Sequence, residues 1–542
     1  MLTDLASADA AEQLRVEIEE LRAEHHIPGM AAGLVGSTGA PVVAVSGSTA
    51  RPGARPVGVE TIFGLQSVSK MYTATATMLA VRDGLVELDI PITEYLPDFT
   101  VNSIFEEHPE RRMTLRHLLS HTAGFTHEAP VGNNYDAVSG SFPERVASIP
   151  DSWLRFPVGE RYEYSNLGID IAGWVLAIRS GMPFEAYMRD VLLDPLGITR
   201  TTFDLSDAAA DEDRAVGHTS GYSELPVVHP LVPCGGAFTS IRDACRFVQF
   251  HLNGCVPLLP ANSAEELYQV PFPAPGQIGG YGLGVVNAEM EGWLYRGHGG
   301  GGFGYLCDLY WLPEHDLGVA VLTNSTDHPL QWTLASELLR RLAWRAPGTP
   351  AKRKPVSPET RPAAGLEGEY VGRGSVLQIS SSADGWEVRV DGYAPVPLVL
   401  GGQHAGGVSA RAGDMILRLG TTGRGQRVAV ALQGMQAGSV WCWNRSFGDD
   451  PEPVASDEGV QERRGRCFTV RALGVEAGRP SLWSANDALW FGPWSGANAL
   501  RLSEHRPGLL FSSTGEALDL RKSPPTYANI PLHEDASSPS TG

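Results

Sequence analysis

A proline-rich break near residue 350 constrains this chain more than any other feature. Between Ala346 and Ala364 stand Pro347, Pro350, Pro355, Pro358 and Pro362, with Lys352-Arg353-Lys354 among them. Proline lacks the N–H that helices and sheet ladders require, so such a stretch reads as a spacer between folded units. The residues on its two sides follow different rules. Before it, helical periods and apolar runs alternate; after it, short glycine-punctuated runs of β-formers remain. A chain of 542 residues also exceeds what a single core holds. The resulting division is a domain over 1–346, a linker over 347–364, a β unit over 365–450, a linker over 451–465, a second β unit over 466–530 and a disordered tail over 531–542.

Leu14, Ile18 and Leu21 stand at helical spacing and predict an amphipathic helix over 10–26, stopped by Pro28-Gly29. Met30–Val35 and Pro41–Ser46, split by Ser37-Thr38-Gly39, predict a β-hairpin. From Phe63 to Val81 the chain is apolar nearly all round before Asp83-Gly84, which predicts a helix buried in mid-domain. Residues 114–127 and 168–198 read as further helices and loops, Tyr305–Leu312 and Leu317–Asn324 as adjacent strands, and Leu330–Arg345 as a closing helix. An early strand pair, then helices, then late strands implies an α/β domain: one antiparallel sheet with flanking helices and a helical subdomain. Beyond the linker, Ser375–Ile379, Trp386–Val390, Met415–Leu419 and Val428–Leu432 predict strands, several with one wet face, and short β-like runs resume to about Leu520, which predicts two small antiparallel β-barrels or sandwiches.

Three short motifs carry the chemistry. Ser67-Val68-Ser69-Lys70 puts a nucleophile and an amine three residues apart, on one face of the buried helix that Ser67 opens. A lysine in the first turn of a buried helix needs a partner there. Tyr164-Ser165-Asn166 adds a phenol that can act as a base beside a cation, and an amide that can orient Lys70 or hold a substrate carbonyl. His298-Gly299-Gly300 continues into Gly301 and Gly302, with Arg296 two residues before His298 on the same strand face. The glycines allow close backbone approach, and the N–H of Gly301 suits an oxyanion site together with that of Ser67. No Lys-Ser/Thr pair follows them, as phosphate binding would require.

A formal net charge of −20 argues against a nucleic-acid partner. No apolar run reaches membrane-spanning length, and the first 22 residues lack a basic start followed by an apolar run. The six cysteines, Cys234, Cys245, Cys255, Cys307, Cys442 and Cys467, form no C-x-x-C pair. The expectation is a cytoplasmic protein with reduced, buried thiols, no metal and no cofactor. It acts on a small molecule or peptide, with no membrane partner and with self-association into a homo-oligomer left open.

In this order and at these separations, the three motifs resemble the serine β-lactamase and penicillin-binding-protein superfamily, most of all its class C-like branch. Leu118-Leu119-Ser120-His121-Thr122-Ala123-Gly124 and Gly235-Gly236-Ala237-Phe238-Thr239-Ser240 fit the same resemblance, which covers about residues 10–345. It implies a β-lactamase/transpeptidase-like fold and an acyl-enzyme on Ser67, with Lys70 and Tyr164 sharing acid and base work. Asn166, His298, Gly300 and Gly301 would then line the substrate and oxyanion side. The two β units resemble the architecture of D-aminopeptidases. One departure stands out: members that hydrolyse β-lactams or act as carboxypeptidases usually carry Lys-Thr-Gly or Lys-Ser-Gly where this chain has His298-Gly299-Gly300. Both the cation and the hydroxyl that grip a substrate carboxylate are missing. The resemblance therefore implies a D-aminopeptidase-like amidase or peptidase, or an esterase. A peptide cyclase or acyltransferase is the nearer alternative, and an acyl-binding sensor with little turnover the more distant one.

Overall fold

The computed structural model describes residues 8–50, 54–135, 140–220, 225–271, 280–290 and 293–342 except 332, together with strands lying between residues 367 and 534. Both expected linkers, and residues 535–542 of the expected tail, fall outside the described residues.

A seven-stranded antiparallel sheet forms the centre of the first unit. The early hairpin, Gly29–Val35 and Val42–Gly47, joins the late strands through Ala31↔Leu322 and its neighbours on Leu317–Thr323. Tyr305–Leu312, Trp293–Gly302, Val286–Met290 and Gly280–Tyr281 then follow in that order to the far edge. Strand alternation divides the first strand between two cores. Met30, Ala32 and Leu34 pack with Leu14, Ile18 and Leu21 of the Ala8–Glu24 helix and with Leu334 and Leu338 of the Leu334–Arg341 helix. Ala31 and Val35 face the larger core, which holds the Ile241–Leu252 helix and the Ser69–Arg82 helix.

The Ser69–Arg82 helix is buried from Ser69 through Ala80, as its all-round apolar sequence predicts. Its threonines stay satisfied without water. The hydroxyls of Thr75 and Thr77 donate to the carbonyls of Met71 and Thr73, and that of Thr73 donates to Pro233 O at 2.7 Å. Of the segment 114–127, only Leu115–Leu119 is helical, with Thr114 as its cap; the rest is loop. Among the described residues no helix is long and apolar enough to cross a membrane. Cys234, Cys245, Cys255 and Cys307 are buried free thiols.

Beyond the linker, eight consecutive antiparallel strands run from Gly368–Gly372 to Val440–Trp443. The first also pairs with the last through Tyr370↔Trp443, so the ladder returns to its start. The next unit shows two sheets around one core, the sandwich-like form of the expected barrel or sandwich. A seven-stranded sheet begins at Ser481–Ala485, and Phe468–Ala472 pairs instead with Val475–Gly478 and with His533–Glu534. That last pairing also corrects the tail boundary. Ile530 and Leu532 are buried in this core, which orders the chain through Glu534.

Candidate active site

Ser67 lies on a sharp turn rather than inside the long helix. A short pair of strands, Ile62–Gly64 and Phe238–Ser240, delivers the chain, and Leu65 N–H donates to Ala237 O at 2.7 Å. Gln66 then takes a left-handed φ of +48°, and a 3-10 turn over Gln66–Val68 precedes the helix at Ser69. A non-glycine residue in that region is strained, and such strain collects at functional turns. Ser69 fixes the turn from below, its Oγ accepting from Ala237 N–H at 3.0 Å. The half-buried Ser67 is thereby presented at the surface of a fully buried helix start.

Lys70 is completely buried and donates two hydrogen bonds, to Ser67 Oγ at 3.1 Å and to Cys234 O at 2.8 Å. Its ammonium also stands 4.9 Å from the centre of the Tyr164 ring. The first two motifs are therefore adjacent in space. Asn166 does not orient Lys70 through a hydrogen bond. Its Nδ2 donates to Glu128 Oε1 at 3.3 Å, because Asn166 is the first residue of the Asn166–Ser180 helix and faces the loop around 121–135.

That loop supplies further residues, of which only His121 stood in a sequence motif. Glu128 is buried and takes hydrogen bonds from the backbone and side chain of Asn134, with His127 Nδ1 at 2.6 Å. Burial pushes its pKa up, but the charge and hydrogen bond of His127, with Arg145 behind, outweigh this and leave it below the ordinary carboxylate value. His121 takes a positive φ of +58°, accepts from Ser165 N–H at Nδ1 and lies 4.4 Å from the Tyr164 ring, centre to centre. Arg145 and Asp170, both fully buried, form an ion pair of 2.7 Å, and Arg145 Nη1 also donates to Gly132 O in the same loop.

His298 is buried on the Trp293–Gly302 strand, with Tyr281 OH 2.9 Å from Nε2 and Gly299 O beside Nδ1. Burial, and then the charge of Lys70, lowers its pKa to about 3, so the imidazole is neutral at pH 7. Arg296 does not replace the missing cation: its guanidinium stacks 4.1 Å from the Tyr268 ring centre and lies 3.9 Å from Glu265. Gly300 is the glycine pressed against the nucleophile turn, where a Cβ would sit 2.1 Å from Leu65 O. Gly301 lies half-buried at the strand end, beside Gln331. Among the described residues no cluster of His, Cys, Asp or Glu fits a metal ion.

The Beta-lactamase family profile matches residues 14–343, and the chain belongs to that family. It is a hydrolase of the serine β-lactamase and penicillin-binding-protein class. Penicillin-binding protein 4 of Amycolatopsis lactamdurans is 28% identical over 375 residues, 64% of this chain and 94% of that protein. The crystal structure of SurE with D-Leu aligns at TM-score 0.56 and 25% identity, over 81% of this chain and all of that one. The D-amino acid amidase of Ochrobactrum anthropi SV3, in complex with L-phenylalanine, aligns at TM-score 0.53 and 20% identity, over 62% of this chain and 98% of that one, a likeness of fold.

Proposed function

We propose that this chain cleaves amide or ester bonds through an acyl-enzyme on Ser67, as a D-aminopeptidase-like amidase or peptidase or as an esterase. The observation that carries this reading is the Lys70 ammonium within hydrogen-bond reach of Ser67 Oγ, fixed from behind by Cys234 O and set over the Tyr164 ring. Ser67 Oγ attacks the carbonyl carbon and passes its proton to the Lys70–Tyr164 pair in its singly deprotonated form, either a Lys70 amine beside the Tyr164 phenol or a Lys70 ammonium beside the Tyr164 phenolate. The same pair returns a proton to the departing amine or alcohol as the C–N or C–O bond breaks. Water then attacks the acyl-serine by the reverse proton path. The N–H groups of Ser67 and Gly301 hold the oxyanion.

Two features support a substrate without a carboxylate at the third motif. His298 is neutral and already engaged with Tyr281, and Arg296 is held against Tyr268. The test is a panel of D- and L-aminoacyl amides and p-nitrophenyl esters, with Ser67→Ala as control and products identified. Linear acids support hydrolysis, and cyclic or transferred amides support acyl transfer. Full activity in Ser67→Ala refutes the assignment.

A further inference from the structure

We infer that Glu516 and Asn529, in the last β unit, are positioning residues for the site on the first unit: they hold the wall that carries Tyr164 and Asn166. This rests on the proposed roles of those two residues.

Residues 121–128 suspend the second motif at several points. Ser165 Oγ donates to Thr126 O at 2.5 Å, Asn166 N–H to His127 O at 3.2 Å and Glu163 N–H to His121 O at 2.8 Å. The segment is in turn held from outside its own unit. Thr126 Oγ1 donates to Glu516 Oε2 at 2.7 Å, while Glu516 Oε1 lies 3.1 Å from Arg155 Nε. The same guanidinium contacts Glu163 Oε1 at 2.9 Å, next to Tyr164. Arg155 N–H also donates to Gly124 O. One carboxylate from the far end of the chain therefore bridges both stretches that frame the motif.

Asn529 adds a second bridge. Its Nδ2 donates to Glu128 O at 2.8 Å and to Ser152 Oγ at 2.9 Å, and Glu128 is the partner of the Asn166 side chain. The contact is dry: Thr126, Arg155, Ser152, Glu516 and Asn529 are all buried. It is also shaped for close approach, since a Cβ on Gly515, at φ +86°, would stand 2.5 Å from Arg155 O. Charge-assisted hydrogen bonds in such a setting are strong and directional. Without Glu516, Arg155 loses a carboxylate partner and Thr126 loses its acceptor, so the 121–128 segment loosens beneath the motif. A shift of about 1 Å in a reacting group can cost about a hundredfold in rate.

The test compares the full-length Glu516→Ala and Asp519→Asn variants. Asp519, three residues further on, is also buried, but its hydrogen bonds run to Arg521 within that unit, so it controls for general loosening. Hydrogen exchange of amides 121–128 and 163–167 reads the brace without any substrate. Glu516→Ala should speed exchange there at least tenfold, and Asp519→Asn should leave it within twofold. With an activated ester, kcat should fall at least tenfold in Glu516→Ala, with KM nearly unchanged, and Glu516→Gln should recover most of it. If Glu516→Ala yields no soluble protein, Thr126→Val carries the same comparison. Equal exchange in the two variants overturns the inference. A parent chain that fails to acylate leaves the exchange test standing and refutes only the catalytic reading.

Discussion

Gly300→Ala tests whether the glycine strand and the nucleophile turn act as one unit. The added Cβ would stand 2.1 Å from Leu65 O and 2.8 Å from Cys307 Sγ. An ordinary C···O approach is about 3.3 Å, so strand and turn must separate by about 1 Å. Leu65 is two residues before Ser67, and the strained Gln66 lies between them, so the displacement acts directly on the attacking oxygen. A 1 Å error at a reacting group costs on the order of a hundredfold, or about 2.7 kcal/mol in the barrier. Overpacking alone costs about 1–3 kcal/mol of stability, which a folded protein of this size tolerates. The assay is the acylation rate with p-nitrophenyl acetate beside a thermal melt. Gly36→Ala, whose Cβ would find its nearest neighbour at 3.5 Å, should behave as the parent in both. A Gly300→Ala variant that acylates at the parental rate refutes the claim that this contact sets the nucleophile.

The neutral His298 makes a signed prediction. Its folded pKa of about 3 lies below the ordinary His value of 6.5, so between those pH values the unfolded chain binds the extra proton and stability falls on acidification. His298→Gln should flatten the fall in the urea midpoint from pH 6.5 to 4.5, by up to about 1.4 kcal/mol per pH unit; identical slopes would show that His298 titrates normally. Asp170→Asn leaves Arg145 buried beside a neutral partner and should destabilise the first unit by about 3–5 kcal/mol, while Arg145→Met with Asp170→Leu should cost less than the two single changes summed, as a double-mutant melt will show. Benzylpenicillin should be turned over poorly, because His298 is neutral and Arg296 is held against Tyr268; efficient hydrolysis in a spectrophotometric assay would contradict this.

Much of the first unit was legible because its signals are local. The hairpin, the buried helix and the late strands follow from periodicity, and Ser67, Lys70 and Tyr164 stand out because two short motifs carry side chains of distinct chemistry. What was missed lies in other layers. Cys234 holds Lys70 through a backbone carbonyl, which no residue type announces. Asn166 turns to Glu128 because it starts a helix over a loop whose path the sequence leaves open. The left-handed Gln66 breaks the expected helix start, and no glycine marks it. Glu516 reaches Thr126 across 390 residues, beyond any pattern of spacing. Local pattern thus reveals the reacting groups, while the groups that aim them are set by tertiary contact.

The central claim is that Ser67 becomes acylated. Intact-mass analysis after brief exposure to a p-nitrophenyl ester or a D-aminoacyl ester, followed by peptide mapping, tests it directly. One acyl group per chain is expected, located on Ser67, absent in Ser67→Ala and strongly slowed in Lys70→Met. Turnover by a chain that never carries an adduct at Ser67, or an adduct that persists unchanged in Ser67→Ala, would contradict it.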